Sequence, residues 1–414
     1  VPETDLKSPP RNPFKSLVDI SGALFFPVAF LGRLPLAMTV VGVLTLVAGV
    51  RESYSLAGLT SGVVGFGSAV FGPFVGAAAD KWGQRIVMSA CAIANTAFLL
   101  AIVWLAYAGD GVIMLLVAAF LTGASAPQVG PLARARWLAL IPKHLPGHRA
   151  AKPLSAAMSY ESMADELVFV LGPVLVGVLA WAVSPGTPVI VAAGVVFVFV
   201  GWLALHRTAN EAHIENHRAA GPARSGKLLT IRVLLPAFGM TAIGLFFGST
   251  LTALTAFMGD FGQEPKTGIL YGAMGVGSAI CALAVAALPE RFELRQRWIA
   301  AAALPFVASL IYPWIGSIGA MIPALVLAGV GIGPSLVTLF SIGSKVAPVG
   351  KSTTVMTMLS TGVVIGQAIA STVTGTIVQT YDARAGFFTV IVATGLLAAL
   401  AGLGLAVYRP RQAR

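Results

Sequence analysis

Six ionisable side chains lie in or beside long apolar stretches, and they carry whatever chemistry this chain has: Arg33, Arg134, Arg136, Glu161, Asp165 and Glu166. An ionisable group in hydrocarbon is costly, so each asks for a partner or a function. Asp165 and Glu166 lie roughly ten residues into one apolar run, with Glu161 one turn earlier. Glu161 and Asp165 are four apart and share a helix face. Glu166 points about 100° away from Asp165, so one partner cannot serve both acids equally. Two chemistries fit. In the first, Asp165 or Glu166 binds and releases a proton, with Arg33, Arg134 or Arg136 setting its acidity. In the second, the acids form a latch with Arg134 and Arg136 at the inner ends of two neighbouring helices. Both readings stay open on the sequence alone.

Other constellations are missing. The five histidines, His144, His148, His206, His213 and His217, fall in or beside polar segments. The i,i+4 pair His213 and His217 could share a helix face, but no cysteine is near in sequence, so a solvated pair is expected and no metal. Cys91 and Cys281 both sit in apolar runs, which argues against a disulfide framework. No nucleophile–base pair or phosphate loop is evident, so neither an enzyme nor a cofactor is expected.

The elements that position these groups are membrane helices. Of the 414 residues, 57% are hydrophobic and 10% charged, against about 25% charged in soluble domains. Twelve apolar runs cover roughly 21–50, 57–79, 86–108, 111–133, 155–182, 187–206, 233–258, 267–288, 298–316, 319–342, 354–379 and 386–408. Most match the ~30 Å hydrocarbon core as helices; 298–316 is the shortest. The first run reads as a retained helix rather than a signal peptide, being too long and lacking a small-residue cleavage site. The formal net charge of +11 brings no nucleic-acid motif with it. Its basic residues gather in alternate turns instead, and only Arg51, Lys266 and Arg384 fall in the other set. That bias predicts a multi-pass inner (plasma) membrane protein with both termini cytoplasmic.

Between the second and third runs stands Gly76-x-x-x-Asp80-Lys81-x-Gly83-x-Arg85, with Gln84 at a position read as basic in the motif. Gly76 lets helices approach closely. Asp80 can offer its carboxylate to a neighbouring helix N-terminus. Gly83 permits a tight reversal, and Lys81 and Arg85 hold the turn at the cytoplasmic face. The pattern resembles the loop signature of the major facilitator superfamily. The long polar break at 207–232 divides the runs six and six, with weak echoes between the halves. The resemblance implies an all-α fold of twelve transmembrane helices in two pseudo-symmetric six-helix bundles, 1–206 and 233–414, joined by a cytoplasmic linker loop at 207–232.

Gly172-Pro173 with Gly177 further resembles the helix-5 signature of the drug/proton antiporter branch, although the glycine spacing differs and no arginine stands midway along the fourth run. The resemblance implies secondary active transport by alternating access, with protons as coupling ion, a small-molecule substrate, lipid as surroundings and a monomer. Export of an amphiphilic or apolar molecule is the favoured direction. A transporter for a specific metabolite such as a sugar or amino-acid derivative is the alternative, and a non-transporting sensor or scaffold the alternative of another class. In this superfamily helices 1, 4, 7 and 10 line the path, which implies Met38, Gln128, Met240, Phe246, Phe247, Thr250, Met258 and Pro334 as cavity candidates. Tyr271, Trp314 and Gln367 are added as further contributors.

Overall fold

The structure is a computed structural model that describes residues 12–109, 111–145, 147–220, 227–263, 266–288 and 292–408. Every long element among the described residues is a helix. In a bilayer each peptide group must be satisfied within its own segment, and helices do this locally. Among the described residues, eleven helical segments are long and apolar enough to cross a membrane. The twelfth expected run is the helix Leu294–Ser309, 16 residues. At 1.5 Å per residue it reaches about 24 Å, and a short helical turn follows at Tyr312–Trp314.

The first run is not one helix. It comprises α1 (Pro13–Ser21), α2 (Phe25–Leu31) and α3 (Leu34–Arg51), and Arg33 stands in the turn between α2 and α3. The next helices are α4 (Tyr54–Trp82) and α5 (Gln84–Ala108), reversed at Gly83 with φ +89°. The fourth span breaks at Ser125–Gln128 into α6 (Val112–Ala124) and α7 (Val129–His144). The expected end at 133 is therefore too early. Pro142 sits in the last turn of α7, and the helix carries Arg134 and Arg136 into the protein interior, where both are buried.

Further on come α8 (Ala151–Ala182), α9 (Thr187–Val195) and α10 (Gly201–Leu205). Half of the expected linker loop is itself a helix, α11 (Arg207–Ala220). It packs on α7 and α5 through the buried Ala209 and Ala212. Arg207 donates to the Ile20 carbonyl at 3.1 Å. The remaining helices are α12 (Ile231–Asp260), α13 (Thr267–Ala284), α14 (Leu294–Ser309), α15 (Ile318–Val346), α16 (Ser352–Thr380) and α17 (Ala383–Val407). Side-chain caps fix several starts: the Ser53, Ser317 and Asp382 oxygens accept from the N–H of Leu56, Ala320 and Ala385.

The chain forms two helix bundles, α2–α10 and α12–α17. They meet chiefly where α4 lies on α16 and α8 on α13. Small residues make the first contact possible. A Cβ on Gly76 would stand 2.1 Å from Thr357 Oγ1, and one on Gly72 2.6 Å from Thr361 Oγ1.

Candidate substrate cavity and gate

The charged side chains of the first bundle converge on α8. Arg33 pairs with Glu161 through Nη2, and its Nε lies 3.5 Å from Asp165 Oδ1. Arg134 Nη2 donates to Asp165 Oδ2 at 2.8 Å. The Trp137 indole donates to Glu161 Oε1 at 2.7 Å. Glu161 and Arg134 are 0% exposed and Arg33 3%. Two cations and two anions thus offset one another where each alone would be prohibitive. Gly130 makes room, since a Cβ there would stand 3.0 Å from Asp165 Oδ1 and 3.2 Å from Arg134 Nη1. The Arg134 guanidinium also lies over the Phe340 ring of α15, 3.6 Å from its centre, and so reaches the second bundle.

Glu166, on the neighbouring face, is buried beside Ser278 and Tyr271 of α13. Its Oε1 has no hydrogen-bond partner among the described residues. Arg136 does not join the expected latch. Its guanidinium donates to Gln84 Oε1 at 2.7 Å, to the Leu203 carbonyl at 3.0 Å and to Thr208 Oγ1 at 3.2 Å. Two residues along a helix is about 200°, so Arg134 and Arg136 must face opposite ways. Gln84, the departure from the basic position of the loop motif, is buried and serves as this arginine's acceptor.

A cavity lies between the bundles. One flank carries Arg33, Arg134, Asp165, Glu166, Ser162 and Gln128. The other is built by Met240, Phe247, Leu336, Phe340, Val363 and Val364 of α12, α15 and α16. Of the expected lining residues, Gln128, Met240 and Phe247 are present. Met38 packs instead against the Val168, Val176 and Ala192 group. Phe246, Thr250 and Met258 are buried away from the cavity lining. Pro334 stays inside α15 and Gln367 inside α16, where a Cβ on Gly248 would meet the Gln367 carbonyl at 2.3 Å. Trp314 is 64% exposed, rests on Phe388 and is not in the cavity lining. Tyr271 attends Glu166 from α13. The α16 wall was not anticipated, because Ser360, Thr361, Val363 and Val364 carry no charge or aromatic ring to draw notice.

Asp80 bridges the bundles at the end richest in Lys and Arg. It accepts from Thr353 N at 3.1 Å, Thr354 N at 2.8 Å and Thr354 Oγ1 at 2.7 Å. These donors are the first turn of α16, where the helix dipole favours negative charge. Lys81 lies over the Trp82 ring and Arg85 is exposed. In the helix-5 stretch, Gly172 seats α8 against α3, for a Cβ there would be 2.6 Å from Ala37 Cβ. Pro173 and Gly177 lie on the exposed face of α8.

A multi-pass membrane protein with a cavity between two helix bundles is a transport architecture rather than a catalytic one. The Major Facilitator Superfamily sequence model matches residues 25–371, and the chain belongs to that family. It is a transporter of small molecules set in a lipid bilayer, not an enzyme. No curated protein matches the sequence. Solved structures of similar fold include the human organic anion transporter MFSD10 (TETRAN), 19% identical with a TM-score of 0.70 over 95% of this chain and 100% of that one. Another is a bacterial homologue of the iron transporter ferroportin in an outward-facing state, 15% identical, TM-score 0.73, covering 92% and 98%. The E. coli fucose:proton symporter FucP is also 15% identical, TM-score 0.63, covering 91% and 98%.

Proposed function

We propose that the chain is a proton-coupled secondary transporter that moves an amphiphilic small molecule by alternating access. The observation that carries this reading is the division of the cavity into one charged flank and one apolar wall. A sugar needs polar contacts on all sides, whereas an amphiphile needs a polar end and an apolar one. Methionine and aromatic side chains such as Met240 and Phe247 make an adaptable surface for the apolar part. The helix-5 resemblance favours exchange with protons and export, as in drug/proton antiporters. The moving units are taken as 1–206 and 233–414 with 207–232 between them. The basic end faces the cytoplasm by the positive-inside rule. Asp80 and the Arg134–Phe340 contact would then hold the cytoplasmic side shut.

Geometry favours Glu166 as the proton carrier over Asp165. Asp165 is tied to two arginines. Glu166 has no arginine beside it and only neutral groups facing it from α13. The test is proteoliposomes carrying an internal pH dye. Addition of substrate to wild-type protein is expected to move protons, and the sign gives exchange or co-transport. Glu166→Gln is expected to abolish that signal while unlabelled substrate still exchanges for labelled. Full coupling in Glu166→Gln would sink the assignment, and no substrate flux by the wild type would sink the transport reading itself.

A further inference from the structure

We propose that Arg33, Arg134 and the first turn of α7 together form a binding site for a single anionic group, a carboxylate or sulfonate, on the transported amphiphile. The proposal rests on the transport reading above and names the substrate class. The fourth span is broken at Ser125–Gln128. Non-helical backbone at membrane depth is tolerated where it lines a cavity, and Gln128, Gly130 and Pro131 do line it. The break turns a continuous helix into one with a new N-terminus, α7, inside the protein. That N-terminus has no side-chain cap. It carries partial positive charge, and Gly130 offers the one N–H of this turn left for an anion, since Val129 donates to the Pro127 carbonyl, Leu132 to that of Gln128, and Pro131 has none.

A second, independent observation points the same way. Arg33 and Arg134 line the same cavity and are all but fully buried. Yet Arg33 Nη1 and Arg134 Nε and Nη1 have no hydrogen-bond partner among the described residues. Unmade donors on a buried cation are expensive. Glu161 and Asp165 balance the two charges without using up the donors, so the arginines are kept in place with capacity to spare. A planar anion is the group that takes two guanidinium N–H bonds at once. The missing side chain at Gly130 lets Arg134 and Asp165 lie against the first turn of α7. Across the cavity, Met240, Phe247 and Leu336 offer the surface for its apolar body.

The experiment uses the purified full-length protein and three probes with one apolar body: a dansyl-labelled undecanoate, its amide and its trimethylammonium analogue. Binding is read from dansyl fluorescence. The carboxylate is expected to bind tenfold or more tighter than either analogue. Gly130→Ala and Arg134→Gln are each expected to erase that preference, so that carboxylate and amide bind within twofold of one another. Equal or tighter binding of the amide or the ammonium by wild type overturns the proposal, with no variant needed, so a poorly folding Arg134→Gln leaves the decision intact. A preference that persists in a folded Arg134→Gln overturns it too. Binding that ignores the head group defeats this site alone, whereas binding of none of the three defeats it together with the amphiphile reading.

Discussion

The two bundles share an architecture and divide the work unequally. At the cavity the first contributes Arg33, Arg134, Asp165 and Glu166, while the second contributes Met240, Phe247, Leu336 and Phe340 with the hydroxyls of Ser360 and Thr361. The charge balance is therefore settled within one bundle, because both strong pairs, Arg33–Glu161 and Arg134–Asp165, join helices of the first. Under the proposed alternating access, ion pairs that crossed the interface would have to break in the low-dielectric interior on every cycle, at several kcal/mol each. The contacts that do cross are weaker: carboxylate to helix N-terminus at Asp80, guanidinium to ring at Phe340. The difference fits the proposed alternating access, in which strong bonds would stay inside each moving unit and weak ones lie between them.

The strongest way to break that comparison is to damage the intra-bundle pair. Asp165→Asn leaves the fully buried Arg134 without its counter-charge. A loss of about 3 kcal/mol is expected, reduced because Asp165 is partly exposed. It would be read as a fall in thermal stability of the purified protein. The reciprocal swap Asp165→Arg with Arg134→Asp should recover part of it, and the swap with Arg136→Asp none, since Arg136 faces Gln84 and Leu203. Recovery by the Arg136 swap would show the wrong partner has been assigned.

The crossing contacts should answer differently, in conformation rather than stability. Asp80→Asn removes the charge at the α16 N-terminus, worth about 1 kcal/mol, or roughly fivefold in the balance of states. In a protein with Cys91 and Cys281 replaced, a cysteine at Thr361 should then be labelled faster from the basic end, with thermal stability little changed. Unaltered labelling would remove Asp80 from the gate. Phe340→Leu keeps the apolar wall and loses the cation–ring contact, at about 0.5–1 kcal/mol. The same labelling should rise about twofold, and no change would leave Asp80 as the sole closure of the two. The smallest effect is expected from Trp314→Ala, because the side chain stands on the outer surface. Transport and stability should match wild type, and a lost activity would return Trp314 to the list of functional residues.

Asp80 and Glu166 mark how much of the site could be read in advance. Asp80 was legible because a glycine-spaced acid at a helix end has a local electrostatic reason to meet another helix's N-terminus. The acids at 161, 165 and 166 were legible because any charge in an apolar run stands out. Their partners were not, and Arg136 is the instructive case. Its position beside Arg134 suggested a shared role, and the structure sends the two side chains to opposite faces of α7.

By itself the sequence determined the spans and the class of protein. Hydropathy runs must become helices in lipid, where every peptide group has to find its partner nearby, and that constraint is local. Only the tertiary structure decided which faces meet. Helix rotation and tilt come from packing against neighbours, not from the length or hydropathy of a run. Gly76 against Thr357, Gly172 against Ala37 and Gly130 beside Asp165 are such decisions. So is the break before α7, which makes a helix N-terminus in the cavity out of residues that read, in sequence, as the middle of one more apolar run.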